Sequence, residues 1–246
     1  MLNNNTTLKH LELDRNRSIT VAGWQSILGQ PSQALEKLSA NDCNISDEGL
    51  AVFVRSLLST STLKCLNMGQ NRSVSERMWQ SFSACLQKLE ELDLDLCNIT
   101  DQVMTSFIDA LVGNTSLRKL AIDHHNLTAQ SLEALSNVIC DKTSIESIRE
   151  SNHSLQKLSS HRTDSAVKLL KTYLTLNQND DKGEVARQKI IQYHFLNGTS
   201  NVEEFVDMEL VELPQAISWI GMILATLFFT SYVKACHPYL ILKVRQ

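Results

Sequence analysis

Hydrophobic and polar residues follow two different periods along this chain. In the run LEELDLDLCNI, residues 89–99, Leu92 and Leu94 alternate with Glu91, Asp93 and Asp95. Alternation with a period of two is typical of a short strand that buries one face. The run that follows, QVMTSFIDAL, carries its apolar residues three and four positions apart, which predicts an amphipathic helix. The pattern therefore predicts a strand, a turn and a helix.

The same pattern recurs along the first two thirds of the chain. Similar runs start at Leu8 (LKHLELDRNRSI), Leu35 (LEKLSANDCNI), Leu63 (LKCLNMGQNRSV) and Leu117 (LRKLAIDHHNL), and IESIRESNHSL from Ile145 follows more loosely. Successive starts lie 27, 28, 26, 28 and 28 residues apart. A fixed period indicates a repeat architecture, in which single units cannot bury their apolar faces and must stack on their neighbours.

Small or amide residues are predicted to close the turn after each strand. Cys97 has the equivalents Asn16, Cys43, Asn71 and His125, at a point where a turning backbone needs a side chain that fills the interior and satisfies its polar groups. Segments 46–48 and 100–102 then place Ser or Thr before acidic or amide residues, as helix starts do. Stacked units would line a concave surface with parallel strands and carry their helices outside.

The spacing L-x-x-L-x-L-x-x-N/C-x-L resembles that of leucine-rich repeats, and a period of about 28 residues with a helix in each unit resembles the ribonuclease-inhibitor-like subclass. That subclass includes intracellular sensor domains, the inhibitor itself and activators of the Ran GTPase. The resemblance implies an α/β solenoid, shaped as a horseshoe arc, over residues 1–158 with about six repeats. A helical C-terminal cap is expected to follow it.

The regular spacing fails after Ile145. SIESI and SLQKL both look like strand starts, yet Ile145 and Leu155 are only ten residues apart, which leaves no room for a helix. TDSAVKLLKTYLTL and DKGEVARQKIIQYHF then read as amphipathic helices. We assign residues 159–216 to the cap, because the last repeat of a solenoid needs a cover. We assign 217–246 to an apolar tail helix with a short basic end.

An uncharged run of 21 residues, 213–233, is long enough to span a bilayer. It admits three interpretations: a buried cap helix, a transmembrane anchor or a tail foreign to the functional protein. Acidic residues precede the run and basic residues follow it, which would favour a cytoplasmic C-terminus. A C-terminal anchor without a signal peptide would place that end on the other side, so charge placement argues against the anchor.

Composition and charge narrow the possible partners. The net charge of -4 comes with scattered basic residues, so we expect no nucleic-acid partner. The six cysteines include no C-x-x-C pair and no histidine pair has zinc spacing, which predicts buried thiols and neither metal nor cofactor. The N-terminal residues lack the basic flank and apolar run of a signal peptide. We therefore expect a cytoplasmic protein.

Motifs for catalysis do not occur: there is no glycine-rich phosphate loop, no G-x-S-x-G and no HExxH. The sequence therefore predicts a non-enzymatic scaffold that binds a protein on its concave face. The predicted contact residues are Glu12, Asp14, Ser39, Asn41, Asn67, Glu91, Asp93, Asp95, Asp123 and Arg149. Because this set is acidic on balance, we expect a basic protein partner. The competing interpretation is a solvated face that only keeps the protein soluble.

Two alternative functions are also compatible with the sequence. One is regulation of a small GTPase, as the resemblance to the Ran activators implies, for which Arg15 and Arg72 are the available positions. The other is a membrane-anchored receptor-like protein that uses residues 213–233.

Overall fold

Short parallel strands form one open sheet in the computed structural model, which describes residues 6–28, 34–60, 62–122, 127–159 and 165–196. Over these residues the sheet has six strands in sequence order. They are β1 (His10–Glu12), β2 (Lys37–Ser39), β3 (Cys65–Asn67), β4 (Glu91–Asp93), β5 (Lys119–Ala121) and β6 (Lys157–Ser159). The central leucines are in register from Leu11 to Leu158. The repeat solenoid predicted from the sequence is confirmed.

Helices connect consecutive strands on one side of the sheet. They are α1 (Val21–Leu28), α2 (Asp47–Thr60), α3 (Glu76–Phe82), α4 (Asp101–Leu111), α5 (Ala129–Ile139), α6 (Ile145–Glu150), α7 (Ser165–Leu176) and α8 (Lys182–Ile190). A 3₁₀ segment, Ser83–Lys88, follows α3. Each helix from α1 to α4 packs on the next, and α7 packs on α5 and β6. The layers are therefore a strand face and a helix face with leucines between them.

The chain divides into two units, Met1–Lys189 and Ile190–Gln246. The described part of the second unit is the last residue of α8 and a π-helical segment, Ile191–Leu196. α7 and α8 occupy the two stretches predicted to be helical. The proposed limits of the cap at 159–216 stay a prediction, and the predicted tail helix at 217–246 lies outside the described residues.

The unit that starts at Ile145 is not a strand. Ser144 caps α6 by accepting a hydrogen bond from the Ser147 N–H, and Ile145 and Ile148 are both buried. Apolar residues three apart with a serine cap favour a helix, so the prediction of a strand from Ile145 was wrong. The sixth strand belongs to SLQKL instead, which the sequence also marked as a possible strand start.

A ladder of asparagines fastens this irregular unit to its neighbours. Asn152 Nδ2 donates to the carbonyls of Leu111 at 2.8 Å and Asn114 at 3.0 Å. Its Oδ1 accepts the Leu155 N–H at 2.9 Å. Asn177 Nδ2 in turn donates to the Leu155 carbonyl at 2.6 Å. The additional helix is therefore accommodated without loss of the parallel register between β5 and β6.

A second ladder runs through the turns that follow the strands. Asn71 is 0% exposed, and its Nδ2 donates to the carbonyls of Ala40 at 2.9 Å and Met68 at 2.7 Å. Its Oδ1 accepts the N–H groups of Cys43 at 3.1 Å and Ile45 at 3.0 Å. The buried turn positions thus satisfy the backbone of the preceding repeat.

Cysteine performs part of the same task in the next repeat. The Cys97 thiol is buried and donates to the Met68 carbonyl at 3.0 Å, as the Cys43 thiol does to the Leu13 carbonyl at 3.0 Å. Asn44 and Asn98 follow these cysteines with φ of 51° and 57°. Asparagine adopts this left-handed conformation more easily than most residues, so the pair Cys-Asn closes a turn one residue shorter than Asn-Arg-Ser.

No helix among the described residues is long and apolar enough to cross a membrane. The apolar run at 213–233 lies outside those residues.

Asn71→Ala should lower the free energy of unfolding by about 2–4 kcal/mol, because it leaves buried carbonyl and N–H groups without partners. The measurement is urea unfolding followed by tryptophan fluorescence. Asn16→Ala is the matched control: Asn16 is exposed and, among the described residues, its side chain bonds only within its own turn, so its loss should cost below about 1 kcal/mol. Equal losses in the two variants would contradict the importance of the buried ladder.

A buried lysine holds α8 against the preceding repeat. Lys189 is 0% exposed, and its Nζ contacts the carbonyls of Ile139 at 2.5 Å and Asn152 at 3.1 Å and His153 Nδ1 at 2.9 Å. Burial lowers the pKa of Lys189 to about 7. Burial, with the nearby Lys189 charge, lowers the pKa of His153 to about 4. The folded protein therefore binds protons less readily at both groups than the unfolded chain does.

Acid should weaken the fold through these two groups. For Lys189 the stabilisation is complete above 10.5, its ordinary pKa, and is lost as the pH falls towards about 7. For His153 the corresponding window runs from 6.5 down to about 4. As the pH is lowered from 10.5 to about 7, the free energy of unfolding of Lys189→Met should therefore fall less than that of the wild type. Parallel pH profiles of the two proteins would show that Lys189 is not the titrating group.

Candidate interface on the concave face

Two rows of side chains face away from the helices. The first row contains the first residue of every strand: His10, Lys37, Cys65, Glu91, Lys119 and Lys157. The other row contains the third residue of every strand and is called the third row for that reason: Glu12, Ser39, Asn67, Asp93, Ala121 and Ser159. The middle residues between them point towards the core, and five of the leucines there are buried: Leu38, Leu66, Leu92, Leu120 and Leu158. Both rows line a cavity of about 530 Å³ that extends across all six described strands.

Polar groups of the third row also hold the turns. Asn67 Oδ1 accepts the Gly69 N–H at 2.9 Å, and Asp93 Oδ1 accepts the Asp95 N–H at 3.0 Å. A Cβ at Gly69 would lie 2.9 Å from Asn41 Oδ1 and 3.2 Å from the Asp95 carbonyl. Turn residues of three adjacent repeats therefore meet at Gly69, where a side chain would force the Asn41 amide to move.

Carboxylates lie close together where the strands pass into the following turns. We call this side of the concave face, with Asp14, Asp93 and Asp95, the turn edge. Asp14 Oδ1 accepts hydrogen bonds from Ser39 Oγ at 2.5 Å and from the Asn41 N–H at 3.0 Å. Burial raises the pKa of Asp93, the bond from the Asp95 N–H opposes this, and the charges of Asp95 and Asp14 raise it further. A positive group placed here would relieve the mutual repulsion of these acids.

Basic side chains dominate the first row. Lys119 Nζ lies 2.6 Å from Glu91 Oε1, with both side chains about half exposed. Lys37 and Lys157 are exposed and make no ion pair within the described part of the chain. Just outside this row, Lys9 pairs with Glu36 at 2.8 Å and Lys64 with Glu90 at 2.9 Å. These two outer pairs neutralise their own charges, whereas the first row keeps a positive excess.

The structure places most of the predicted contact residues on this face. Glu12, Ser39, Asn67, Glu91 and Asp93 lie in the two rows, and Asp14, Asn41 and Asp95 lie in the turns directly after the strands. Asp123 lies outside the described residues.

The prediction that Arg149 lies on the concave face was wrong. It lies in α6, where its guanidinium is 3.4 Å from Glu146 Oε2, because Ile145–Glu150 is helical. The sequence interpretation also missed His10, Lys37, Cys65, Lys119 and Lys157. It centred the exposed face on the leucine equivalent to Leu94 in each repeat. The strands are centred two residues earlier, on the leucine equivalent to Leu92. Extending the period-two alternation back by one position would have found this row.

Over the described residues, no group of three or more His, Cys, Asp or Glu side chains is arranged to hold a metal ion.

A match to a known sequence profile agrees with the sheet and the turn ladders. A sequence profile described as "Leucine Rich repeat" matches residues 4–28, 85–102 and 113–136. The chain therefore contains leucine-rich repeats and folds as an α/β solenoid of that type. A search of curated protein sequences finds no match.

Several solved structures are similar to the chain. The Caenorhabditis elegans tropomodulin C-terminal domain is 18% identical, with a TM-score of 0.47, over 55% of this chain and 85% of that one. Leiomodin-1 actin-binding site 2 is also 18% identical, with a TM-score of 0.49, over 72% of this chain and 95% of that one. A chain of the yeast Rad7–Elc1 complex is 18% identical, with a TM-score of 0.45, over 62% and 41%.

Cys65 should be the first of the described cysteines to react with an alkylating reagent, because the other four are buried. Burial and the Glu91 carboxylate raise the pKa of Cys65 above 9.0, so its labelling rate should still increase beyond that pH. Mass spectrometry of the labelled peptides measures this in a Cys236→Ser background. Cys65→Ser should remove the fast phase, and equally fast labelling of Cys43 or Cys97 would contradict the placement.

Proposed function

We propose that this protein is a non-enzymatic scaffold that binds a protein partner on the concave face of its solenoid. The observation that carries the proposal is the continuous face of two side-chain rows, which lines one cavity from His10 to Ser159. Solenoids present extended concave surfaces of this kind, and their strands hold side chains at fixed spacing. Fold alone does not name a partner, so the chemistry of the face must indicate it.

The acidic turn edge supports a partner that brings basic side chains. Asp95 and Asp14 lie close enough to Asp93 for their charges to raise its pKa. Lys or Arg from a partner would offset this repulsion, and the field of the acids would steer such a partner during encounter.

The regular period and the full helices on the convex side support membership of the ribonuclease-inhibitor-like subclass. A reducing, cytoplasmic location is supported by the thiols, because all five described cysteines are free and two of them serve in the turn ladder.

Neutralising the acidic edge should slow association with a protein captured by affinity purification on the full chain. Asp93→Asn combined with Asp95→Asn removes two charges but keeps an acceptor for the turn bond at Asp93. We expect the association rate to fall several-fold and to depend less on salt, since steering is electrostatic. Surface-immobilised kinetics at low and high ionic strength provide the measurement.

The matched control is Asp109→Asn combined with Glu133→Gln. These residues are exposed on α4 and α5, on the helix face, and their replacement changes the net charge equally. It should leave association unchanged. If the two double variants bind the partner alike, the concave face is not the interface.

A further inference from the structure

Charge on the concave face is divided between its two edges. In the first row three lysines accompany one acid, Glu91. The third row carries Glu12 and Asp93 and none of its described residues is basic, and the turns after it add Asp14 and Asp95. Arg15 and Arg17 follow Asp14 in the first turn, where Arg17 pairs with Asp42 at 2.6 Å. The first and third residues of a strand lie about 7 Å apart, so a positive and a negative edge run side by side.

The positive edge is available to a ligand. Glu91 engages Lys119, which leaves Lys37 and Lys157 exposed and without an ion pair among the described residues. These two side chains stand four strands apart, on β2 and β6, so positive charge is spread along the groove. A uniformly basic ligand would gain at the acidic edge and be repelled along this one.

The geometry points to a bipolar groove that takes an extended protein segment with acidic side chains along one flank and basic side chains along the other. This inference rests on the proposed function and specifies the chemistry of the partner. Six strands spaced about 4.8 Å apart span about 24 Å, the length of roughly seven extended residues. Successive side chains of an extended segment point to opposite sides, so acids and bases must alternate in its sequence.

The test uses synthetic peptides of about eight residues as probes. One alternates Glu and Lys, a second has the same composition with all Glu before all Lys, and a third contains only Lys. Fluorescence anisotropy measures affinity, and protection of Cys65 from alkylation in the Cys236→Ser background reports whether a peptide occupies the groove. We expect the alternating peptide to bind several-fold more tightly than either of the others and to protect Cys65.

Reversing the positive edge should reverse the preference. Lys37→Glu combined with Lys157→Glu makes both edges acidic, so the all-Lys peptide should become the tightest ligand. Lys37→Gln combined with Lys157→Gln, a milder change at the same exposed positions, should abolish the preference for alternation. Thermal melting followed by circular dichroism checks that each variant is folded. If the Glu double variant does not fold, the Gln double variant provides the test.

Four outcomes would overturn the bipolar groove. A wild-type preference for the all-Lys peptide would show a simply acidic face, which agrees with the proposed function but not with this inference. Binding without protection of Cys65, or a preference unchanged in both variants, would place the peptide elsewhere. Absence of measurable binding by all peptides would also refute the bipolar groove, while the proposed function would still be decided by the partner's response to the Asp93 and Asp95 changes.

Discussion

The structure depends on the satisfaction of buried backbone groups in the turns. Strands of three residues form few hydrogen bonds, and each turn bends the chain inward, where water cannot reach its carbonyls. Asn71 meets this constraint with both ends of its amide, bonding the backbone of two repeats at once. The ladder therefore fixes the register of neighbouring strands, and that register aligns the side chains of the concave face into rows.

The side chains of the two rows differ in how much they contribute to the stability of the fold. In the third row, Asn67 and Asp93 accept N–H groups of the following turn, so their replacement affects the fold as well as the surface. In the first row, Lys37 and Lys157 project from strands whose backbone is held by the neighbouring repeats. The first row can vary at little structural cost, which makes it the place where such a scaffold can change its specificity.

Periodicity in the sequence was sufficient to predict the sheet, the buried turn cysteines and the helix starts at Ser46 and Thr100. It failed around Ile145, because apolar residues three apart and a capping serine outweighed the repeat spacing. The burial of Lys189 was not predictable, since its partners Ile139, Asn152 and His153 are 36 to 50 residues away in sequence. Tertiary contacts alone decide whether such a lysine faces solvent or the interior.

Net charge describes this surface poorly. The chain carries -4 overall, yet within the described residues the first row holds more bases than acids, while the third row holds acids and no bases. The acids of the turn edge steer a basic partner during encounter, and both edges act most strongly at contact, where screening by salt is weakest. At contact the two edges also select the orientation of the ligand, because a ligand with its flanks exchanged meets like charges on both sides. Specificity would then come from the strand register, which keeps the two edges apart.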